Sequence, residues 1–154
     1  GHAEALVPAV ASLLDGVKPT HIIVDIGPGS YTGIRIGIAA ARALGLSWGV
    51  PVLGVSALAL VAAQGFSFDP APDLFALIDA GRGQAVGAAV GRNLIASSPA
   101  VVRTVPEDVV CAGAGVRLLP SCVHVLHDSH PDAGFAGHVP MTALCPPAAL
   151  YVTD

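Results

Sequence analysis

The segment 21–49, "HIIVDIGPGSYTGIRIGIAAARALGLSWG", constrains the fold more than any other part of this 154-residue chain. It opens on an apolar, β-branched run, which is typical of a parallel strand buried on both faces. A Gly-Pro-Gly turn follows, and a helix-forming segment then runs to Gly49. Because "PVLGVS" comes next and reads as a second strand, residues 21–55 predict a strand–helix–strand unit with a right-handed crossover. The sequence therefore predicts an α/β fold with a largely parallel sheet.

The flanking segments extend this prediction in both directions. Residues 2–14 predict a helix that Gly16 ends and that either starts late or bends at Pro8, and residues 57–64 predict a helix capped by Ser56. "LFALIDA" and "QAVGAAVG" predict strands joined through a Gly-Arg-Gly turn, "CVHVLH" predicts a short strand, and "PEDVVCAGAGVRLLP" favours a helix start, a short strand and a glycine turn. The turn-rich "GFSFDPAPD" indicates a boundary between a first half, 1–65, and a second half, 66–154.

Composition limits the kinds of partner that this chain can have. Hydrophobic residues make up 53% and charged residues 12%, so either the surface is unusually apolar or a partner covers part of it. The net charge of −4 argues against direct, sequence-specific binding of nucleic acid. The uncharged run 43–64 is interrupted by Gly49, Pro51 and Gly54, which favours helix, strand and helix in a protein core over a membrane span. No signal peptide is recognisable, and the three unpatterned cysteines indicate reduced cytosolic thiols.

The Gly-Pro-Gly loop is a candidate anion-binding site, made up of Gly27, Gly29, Ser30 and Thr32. Ser30 or Thr32 can cap the helix, and free amides at a helix N-terminus can hold an anion. However, the loop lacks the lysine of a P-loop and the acidic residue of a dinucleotide fingerprint, and neither Ser30 nor Ser56 has the glycines of a nucleophile elbow. A purely structural turn is therefore the preferred reading, and a ligand site stays open.

Small residues at every fourth position form one ridge of the following helix: Gly33, Gly37, Ala41 and Gly45. Glycine inside a helix costs about 1 kcal/mol relative to alanine, so the ridge predicts a closely approaching backbone. That backbone belongs either to the same domain or to another subunit. Arg35 and Arg42 lie seven residues apart on one side of the helix and are either polar groups beside this seam or part of a solvated face.

Two further groups of residues suggest chemistry without completing it. His124, His127 and His130 lie near Cys122 and His138, and they are either a zinc site or exposed loop histidines. Asp25 and Asp79 end apolar strands, where α/β folds often place functional carboxylates, although both can equally satisfy turn amides. No nucleophile, base and orienting group can be assembled, so the sequence predicts neither a catalytic residue nor a metal ligand.

The segments "GHAEALVPAV", "DIGPGSYTGIRIGIAAARALGLSWGVPVLGVSALALVA", "LIDAGRGQAV", "CAGAGVRLL" and "PPAALYVTD", taken in order, resemble the TsaB (YeaZ) family. The resemblance implies an actin-like ATPase (ribonuclease-H-like) fold with two halves, and a non-catalytic cytoplasmic scaffold in the synthesis of threonylcarbamoyladenosine on tRNA. It implies a catalytic paralogue, TsaD, as partner, with the ATPase TsaE joining the assembly and a homodimer forming in isolation. No cofactor is implied in the chain itself, although a nucleotide at the partner interface is possible.

In that family the helices aligned with residues 4–14 and 32–48 form the partner interface, which shifts the interpretation of the ridge towards an intermolecular seam. The partner-binding residues implied are Leu6, Val10, Gly33, Arg35, Gly37, Ala41 and Gly45. The chain also departs from the family pattern. The opening strand and hairpin have no counterpart, so the first half is expected to lack its opening strands, and the usual glutamate and tyrosine after "DAR" are missing near Arg82.

Two other functions are retained as alternatives. The first is an enzyme: either an actin-like ATPase or phosphotransferase that uses the "GPGSYTG" loop on a nucleotide, or a glycoprotease-type enzyme, as the family's glycoprotease label implies. The second is a structural homodimer without a modifying partner.

Overall fold

The computed structural model describes residues 2–71, 73–122 and 124–152, and the side chains of residues 2–4 and 7 are outside this description, as are Gly1, Thr153 and Asp154 of the quoted segments. The α-helices are α1 (His2–Leu14), α2 (Tyr31–Trp48) and α3 (Ala57–Gly65). The strands are β1 (Ile22–Asp25), β2 (Val52–Val55), β3 (Asp73–Asp79), β4 (Ala85–Gly91), β5 (Ala100–Val102), β6 (Val110–Ala112) and β7 (His124–His127). Short 3₁₀ helices cover Ala114–Leu118, Ala133–His138 and Met141–Ala143.

The predicted strand–helix–strand unit is confirmed. Strands β1 and β2 are parallel, in a register that places Ile22 opposite Val52 and Asp25 opposite Val55. Helix α2 connects them and ends at Gly49, which has a φ of 66° and donates its N–H to the Gly45 carbonyl. This left-handed cap is readily adopted by glycine, so the sequence itself stops the helix before the second strand.

Helix α1 runs without interruption from His2 to Leu14 and contains Pro8. A late start at Pro8, one of the two alternatives predicted, is therefore wrong. Proline has no backbone N–H, so the helix loses only one backbone hydrogen bond at Pro8. A helix can therefore continue past this residue.

The second sheet has five strands in the order β5-β4-β3-β6-β7. Strands β3 and β4 are antiparallel, as are β4 and β5, whereas β6 is parallel to both β3 and β7. The prediction of a largely parallel sheet thus holds for the first sheet only. The predicted Gly-Arg-Gly turn makes the difference: positive φ values of 82°, 55° and 72° at Gly81, Arg82 and Gly83 turn the chain back on itself, so β3 and β4 form a hairpin.

Helix α3 connects the two halves of the core. Its residues from Ala57 to Ala63 are all buried, and they pack with Leu74 and Ile78 of β3 in one cluster that Ile23 of the first sheet also contacts. Burial all round is typical of a helix enclosed by protein on every side. The predicted boundary at residue 65 coincides with the end of this helix.

The C-terminal residues 145–152, here called the strap, return to the first sheet. Cys145 and Gly54 of β2 exchange two backbone hydrogen bonds of 3.0 and 2.7 Å, and Leu150 donates its N–H to the Ile26 carbonyl at 2.8 Å. A Cβ on Gly54 would lie 3.0 Å from the Pro146 carbonyl oxygen, so the close approach requires glycine there. The strap, which the sequence prediction assigns to the second half, is thus packed against the first.

The uncharged run 43–64 is divided among α2, β2 and α3, as predicted. In the part of the chain that the structure describes, no helix combines the length and apolar character that a membrane crossing requires.

Candidate partner-binding face and cleft

The Gly-Pro-Gly loop is held by hydrogen bonds from both sides. The Gly27 N–H donates to the Asp25 carboxylate at 2.7 Å, and the Gly27 carbonyl accepts from the Ala57 N–H at 2.9 Å. Gly27 has a φ of 99°, and a Cβ there would lie 2.7 Å from the Cδ1 atom of Ile34. The loop therefore has a structural role, because it ties the end of β1 to the starts of both α2 and α3.

The serine of this loop caps α2. The Ser30 hydroxyl oxygen accepts the Gly33 N–H at 3.3 Å, while Thr32 lies exposed in the first turn. The capping role predicted for Ser30 or Thr32 therefore falls to Ser30. Whether an anion binds at the remaining amides stays a prediction.

The two strand-end carboxylates act on their own turns. Asp79 accepts the Gly81 N–H at 2.8 Å, as Asp25 accepts that of Gly27. Partial burial raises the pKa of Asp25 above the ordinary aspartate value, and the hydrogen bond from Gly27 partly opposes this rise. Of the two roles predicted for Asp25 and Asp79, the structure shows hydrogen bonding to turn amides.

A cleft of about 1000 Å³ separates the start of α2 from the hairpin turn of β3 and β4. Ser30, Tyr31 and Thr32 of the α2 start line this cleft, as do Arg82 and Gln84 of the hairpin turn, His130 and the strap's Tyr151. Sequence reasoning missed Arg82 and His130 as cleft residues, because the hairpin turn and the loop after β7 are distant from α2 in the chain. The cleft thus combines aromatic rings, a guanidinium group and a helix N-terminus.

The predicted ridge on α2 becomes more deeply buried in the protein's own core from its first residue to its last. Gly33 is exposed and Gly37 is half-buried, whereas Ala41 and Gly45 are buried. A Cβ on Gly45 would collide with Cγ2 of Val52 and lie 3.1 Å from the Val50 carbonyl oxygen, so the same chain, just before and at the start of β2, approaches this end of the ridge. Of the two partners left open by the sequence, the same domain accounts for Ala41 and Gly45.

The opposite side of α2 is apolar and faces outwards. Ile36, Ala39, Ala43 and Leu46 are all exposed, and Leu46 keeps 88% of its surface accessible. Their spacing places them on one stripe of the helix. We call these four residues the outward stripe, and they are the α2 side chains that a partner can reach without displacing the core.

Helix α1 adds further accessible apolar surface. Leu6 and Val10, predicted as partner-binding residues, are half-buried, while Leu13 is 84% exposed. Leu6 and Val10 are four residues apart and so lie on the same face of the helix.

Both arginines of α2 have partners within the chain. Arg35 donates to the Tyr31 hydroxyl, and its guanidinium lies 5.2 Å from the centre of the Tyr31 ring. Arg42 donates to the Pro147 carbonyl at 2.7 Å. Arg42 thus holds the strap, and Arg35 holds a tyrosine at the rim of the cleft.

The histidines of the predicted cluster point to different surroundings. His124 is exposed on β7, His130 lines the cleft, and His127 contacts the Val61 carbonyl at 3.1 Å through Nε2 while Nδ1 accepts the Ser129 N–H at 3.3 Å. Among residues 2–71, 73–122 and 124–152, no three His, Cys, Asp or Glu side chains are grouped as a metal would require. The cysteines are free thiols, and burial, together with the neighbouring Cys122, raises the pKa of Cys111 to about 12.

Comparison with protein families yields one match that covers most of the chain. The model described as "TsaD: tRNA N6-adenosine threonylcarbamoyltransferase" matches residues 1–111. Among curated proteins, the chain is 42% identical over 88 residues to "tRNA threonylcarbamoyladenosine biosynthesis protein TsaB" of Bacillus subtilis (strain 168), a match over 54% of this chain and 38% of the relative. It is 35% identical over 97 residues to the protein of the same name in Escherichia coli (strain K12), over 60% of this chain and 42% of the relative. The matched region thus spans less than half the length of these curated relatives.

A solved structure matches over almost the whole chain. "YeaZ from Pseudomonas aeruginosa" superimposes with a TM-score of 0.77 at 26% identity, covering 97% of this chain and 84% of that one. The α/β architecture of this chain is accordingly the actin-like, ribonuclease-H-like fold, which confirms the predicted fold class. Among the described residues its first sheet has two strands.

Proposed function

We propose, because this chain belongs to the TsaD-related family and to its TsaB (YeaZ) group, that it serves the synthesis of threonylcarbamoyladenosine on tRNA as a non-catalytic, cytoplasmic binding subunit. Its partner in this proposal is a TsaD-like catalytic subunit, and a TsaE-like ATPase joins the same assembly. The chain contributes a docking surface and the partner contributes the chemistry.

The outward stripe of α2 is the observation that carries this proposal. A stable interface buries about 800 Å² on each partner, and its centre is depleted of charged residues. Ile36, Ala39, Ala43 and Leu46 provide such an uncharged centre, and the small alanines allow a foreign helix to approach closely. Leu13 of α1 supplies more apolar surface of the same kind.

The contact proposed here lies on a different side of α2 from the glycine ridge, which was the partner-binding surface expected from the sequence. Ala41 and Gly45 are covered by their own chain, so they act by packing α2 on the first sheet. Gly33 and Gly37 stay accessible at least in part and lie between the core face and the outward stripe. We therefore place the centre of the interface on the outward stripe, with Gly33 towards its margin, and keep Leu6 and Val10 of α1 as further proposed contacts.

Binding to purified TsaD of the same organism, measured by calorimetry, tests this proposal. The wild-type chain is expected to bind, and Ile36→Glu is expected to weaken the affinity by about tenfold or more, because it buries a carboxylate in an apolar centre. Phe68→Ala is the matched control, since Phe68 is also exposed, at 68%, but lies beyond α3. Equal affinities for wild type and Ile36→Glu would contradict the proposed interface.

A second candidate function is the binding of a small anion or nucleotide in the cleft. It is favoured because Arg82 lines the same cleft as Ser30 and Thr32 at the N-terminus of α2, which brings a guanidinium group and helix amides to one space. The test is binding of ATP to Arg82→Ala and Gly29→Ala, because a Cβ on Gly29 meets nothing closer than Ile34 at 3.8 Å and so preserves the turn. Tight ATP binding or ATP turnover that both variants abolish would favour an enzyme over the binding subunit.

A further inference from the structure

Both tyrosines of this chain lie against each other on its surface. Tyr31 is the first residue of α2 and Tyr151 is in the strap, and their rings stack with centres 5.2 Å apart and planes inclined by 29°. Tyr31 is 58% exposed and Tyr151 is 46% exposed. With Arg35, whose guanidinium lies over the Tyr31 ring, they form a surface group that we call the tyrosine–arginine cluster.

This cluster has the composition of an interface anchor. Tyrosine and arginine are among the residues whose truncation costs most binding energy at protein interfaces, and stacked rings lose little side-chain entropy on binding. Aromatic residues make up only 5% of this chain, and both of its tyrosines lie together at one exposed point. The side chains best suited to bind a partner protein are therefore concentrated there.

The cluster is also continuous with the outward stripe. Arg35 lies four residues before Ala39 of the stripe and is therefore its neighbour on the surface of α2. The strap runs along the flank of α2 from Arg42, which binds Pro147, to Tyr31, which stacks on Tyr151. A partner that covers the stripe at Ala39 therefore meets the cluster at Arg35.

The charged residues of α2 indicate what kind of partner surface would complement the tyrosine–arginine cluster. Helix α2 carries Arg35 and Arg42 and contains no aspartate or glutamate, although the whole chain has a net charge of −4. Arg42 is directed to the strap, which leaves Arg35 as the cation beside the stripe. A complementary surface is apolar and presents a carboxylate to Arg35.

We infer that the tyrosine–arginine cluster is an anchor for an apolar, acidic patch on the catalytic partner subunit, so that the interface extends from α2 onto the strap. This inference rests on the proposed function. A protein surface fits better than a nucleobase stacked on Tyr31, because that ring already stacks on Tyr151 and has the Arg35 guanidinium over it, each 5.2 Å from its centre.

Calorimetric titration with purified TsaD tests the inference through two variants. Tyr151→Ala removes the stacked ring, and Arg35→Glu reverses the charge without touching the core; each is expected to weaken binding by about tenfold or more. The wild-type affinity is expected to fall as salt is added, and this dependence is expected to flatten in a third variant, Arg35→Ala. Phe68→Ala again serves as the control, because it removes an exposed ring that leans on His127 with centres 6.1 Å apart.

The outcomes separate this inference from the proposed function. If wild type binds, Ile36→Glu does not, and the cluster variants bind like wild type, the anchor is wrong while the binding function stands. If the variants alter only ATP binding or only self-association, the cluster belongs to the cleft or to a second copy and the inference is overturned. Wild-type protein that fails to bind TsaD overturns both. The unfolding midpoint of each variant shows whether that variant is folded. If Tyr151→Ala loosens the strap, the affinity of Arg35→Glu for TsaD decides the test.

Discussion

Of the three glycines in α2, Gly45 has the least space for a side chain against the first sheet. A Cβ at this position would collide with Cγ2 of Val52 and lie 3.1 Å from the Val50 carbonyl oxygen. Overpacking of this kind costs about 1–3 kcal/mol, and the helix propensity of alanine returns only about 1 kcal/mol. We expect Gly45→Ala to lower the free energy of unfolding, as measured by urea denaturation.

Gly37→Ala is the matched control, because its Cβ would meet Val24 at an ordinary 3.8 Å. It is expected to be neutral or to stabilise the protein by up to about 1 kcal/mol. If both substitutions had the same effect, the ridge would not be set by contact with β2.

Asp25 gives stability a dependence on pH. Partial burial raises its pKa in the folded protein, so the folded state holds the proton more tightly than the unfolded chain does. Its contribution to stability is therefore complete below the unfolded pKa of about 3.9 and is lost as the pH rises through the folded pKa. We expect the stability of wild type relative to Asp25→Asn to fall as the pH is raised from acid to neutral, because asparagine keeps the acceptor for Gly27 without the charge. A difference that is constant with pH in urea denaturation would refute this.

At the scale of elements, periodicity and turn chemistry predicted what is local. The apolar runs, the Gly-Pro-Gly turn and the Gly-Arg-Gly turn predicted β1, α2, β2, β3 and β4, because each depends on neighbouring residues, but the antiparallel pairing of β3 with β4 was not predicted. The segment that packs against the glycine ridge could not be predicted in the same way, since the pattern indicates that a backbone approaches the ridge but not which backbone. The strap was equally inaccessible, because its bond from Arg42 to Pro147 spans 105 positions and "PPAALYVTD" has no period.

The strap is an element whose removal has a defined consequence. A chain ended after Leu144 loses both hydrogen bonds to Gly54 and the packing of Leu150 on Ile34 and Ile38. With the bond from Leu150 to the Ile26 carbonyl, three backbone hydrogen bonds and a half-buried leucine are lost, which corresponds to roughly 3 kcal/mol or more. We expect the Gly54 amide to exchange with solvent much faster in this truncated chain, while amides of α3 stay protected.

Arg42→Ala separates the strap's anchoring from its packing. It removes one hydrogen bond to a carbonyl and leaves the apolar contacts in place, so the loss is expected to be about 1 kcal/mol. A loss as large as that of the truncation would mean that Arg42, rather than the packing, holds the strap.

At the scale of the whole molecule, α3 joins the two sheets and the strap ties the second half back onto the first. On the other side of β1 the backbone groups of Ile23 and Asp25 point away from β2, because Ile22 and Ile26 are the residues that donate to it. No described residue pairs with that edge. Among the described residues of the first half, the open edge of β1 and the outward stripe of α2 thus face outwards, in addition to the exposed Leu13 of α1.

This arrangement predicts how the isolated chain associates. With no TsaD present, the outward stripe is expected to bind its counterpart on a second copy, since apolar area that a partner would cover favours contact in water. We expect sedimentation to show a dimer for wild type and a monomer for Leu46→Glu, because Leu46 is 88% exposed and the charge would be buried at the contact. Met141→Glu, at a residue 66% exposed on a distant 3₁₀ helix, is expected to stay dimeric. Addition of TsaD is expected to replace the homodimer with the mixed complex, and a Leu46→Glu protein that sediments like wild type would show that the dimer forms elsewhere, for instance through the edge of β1.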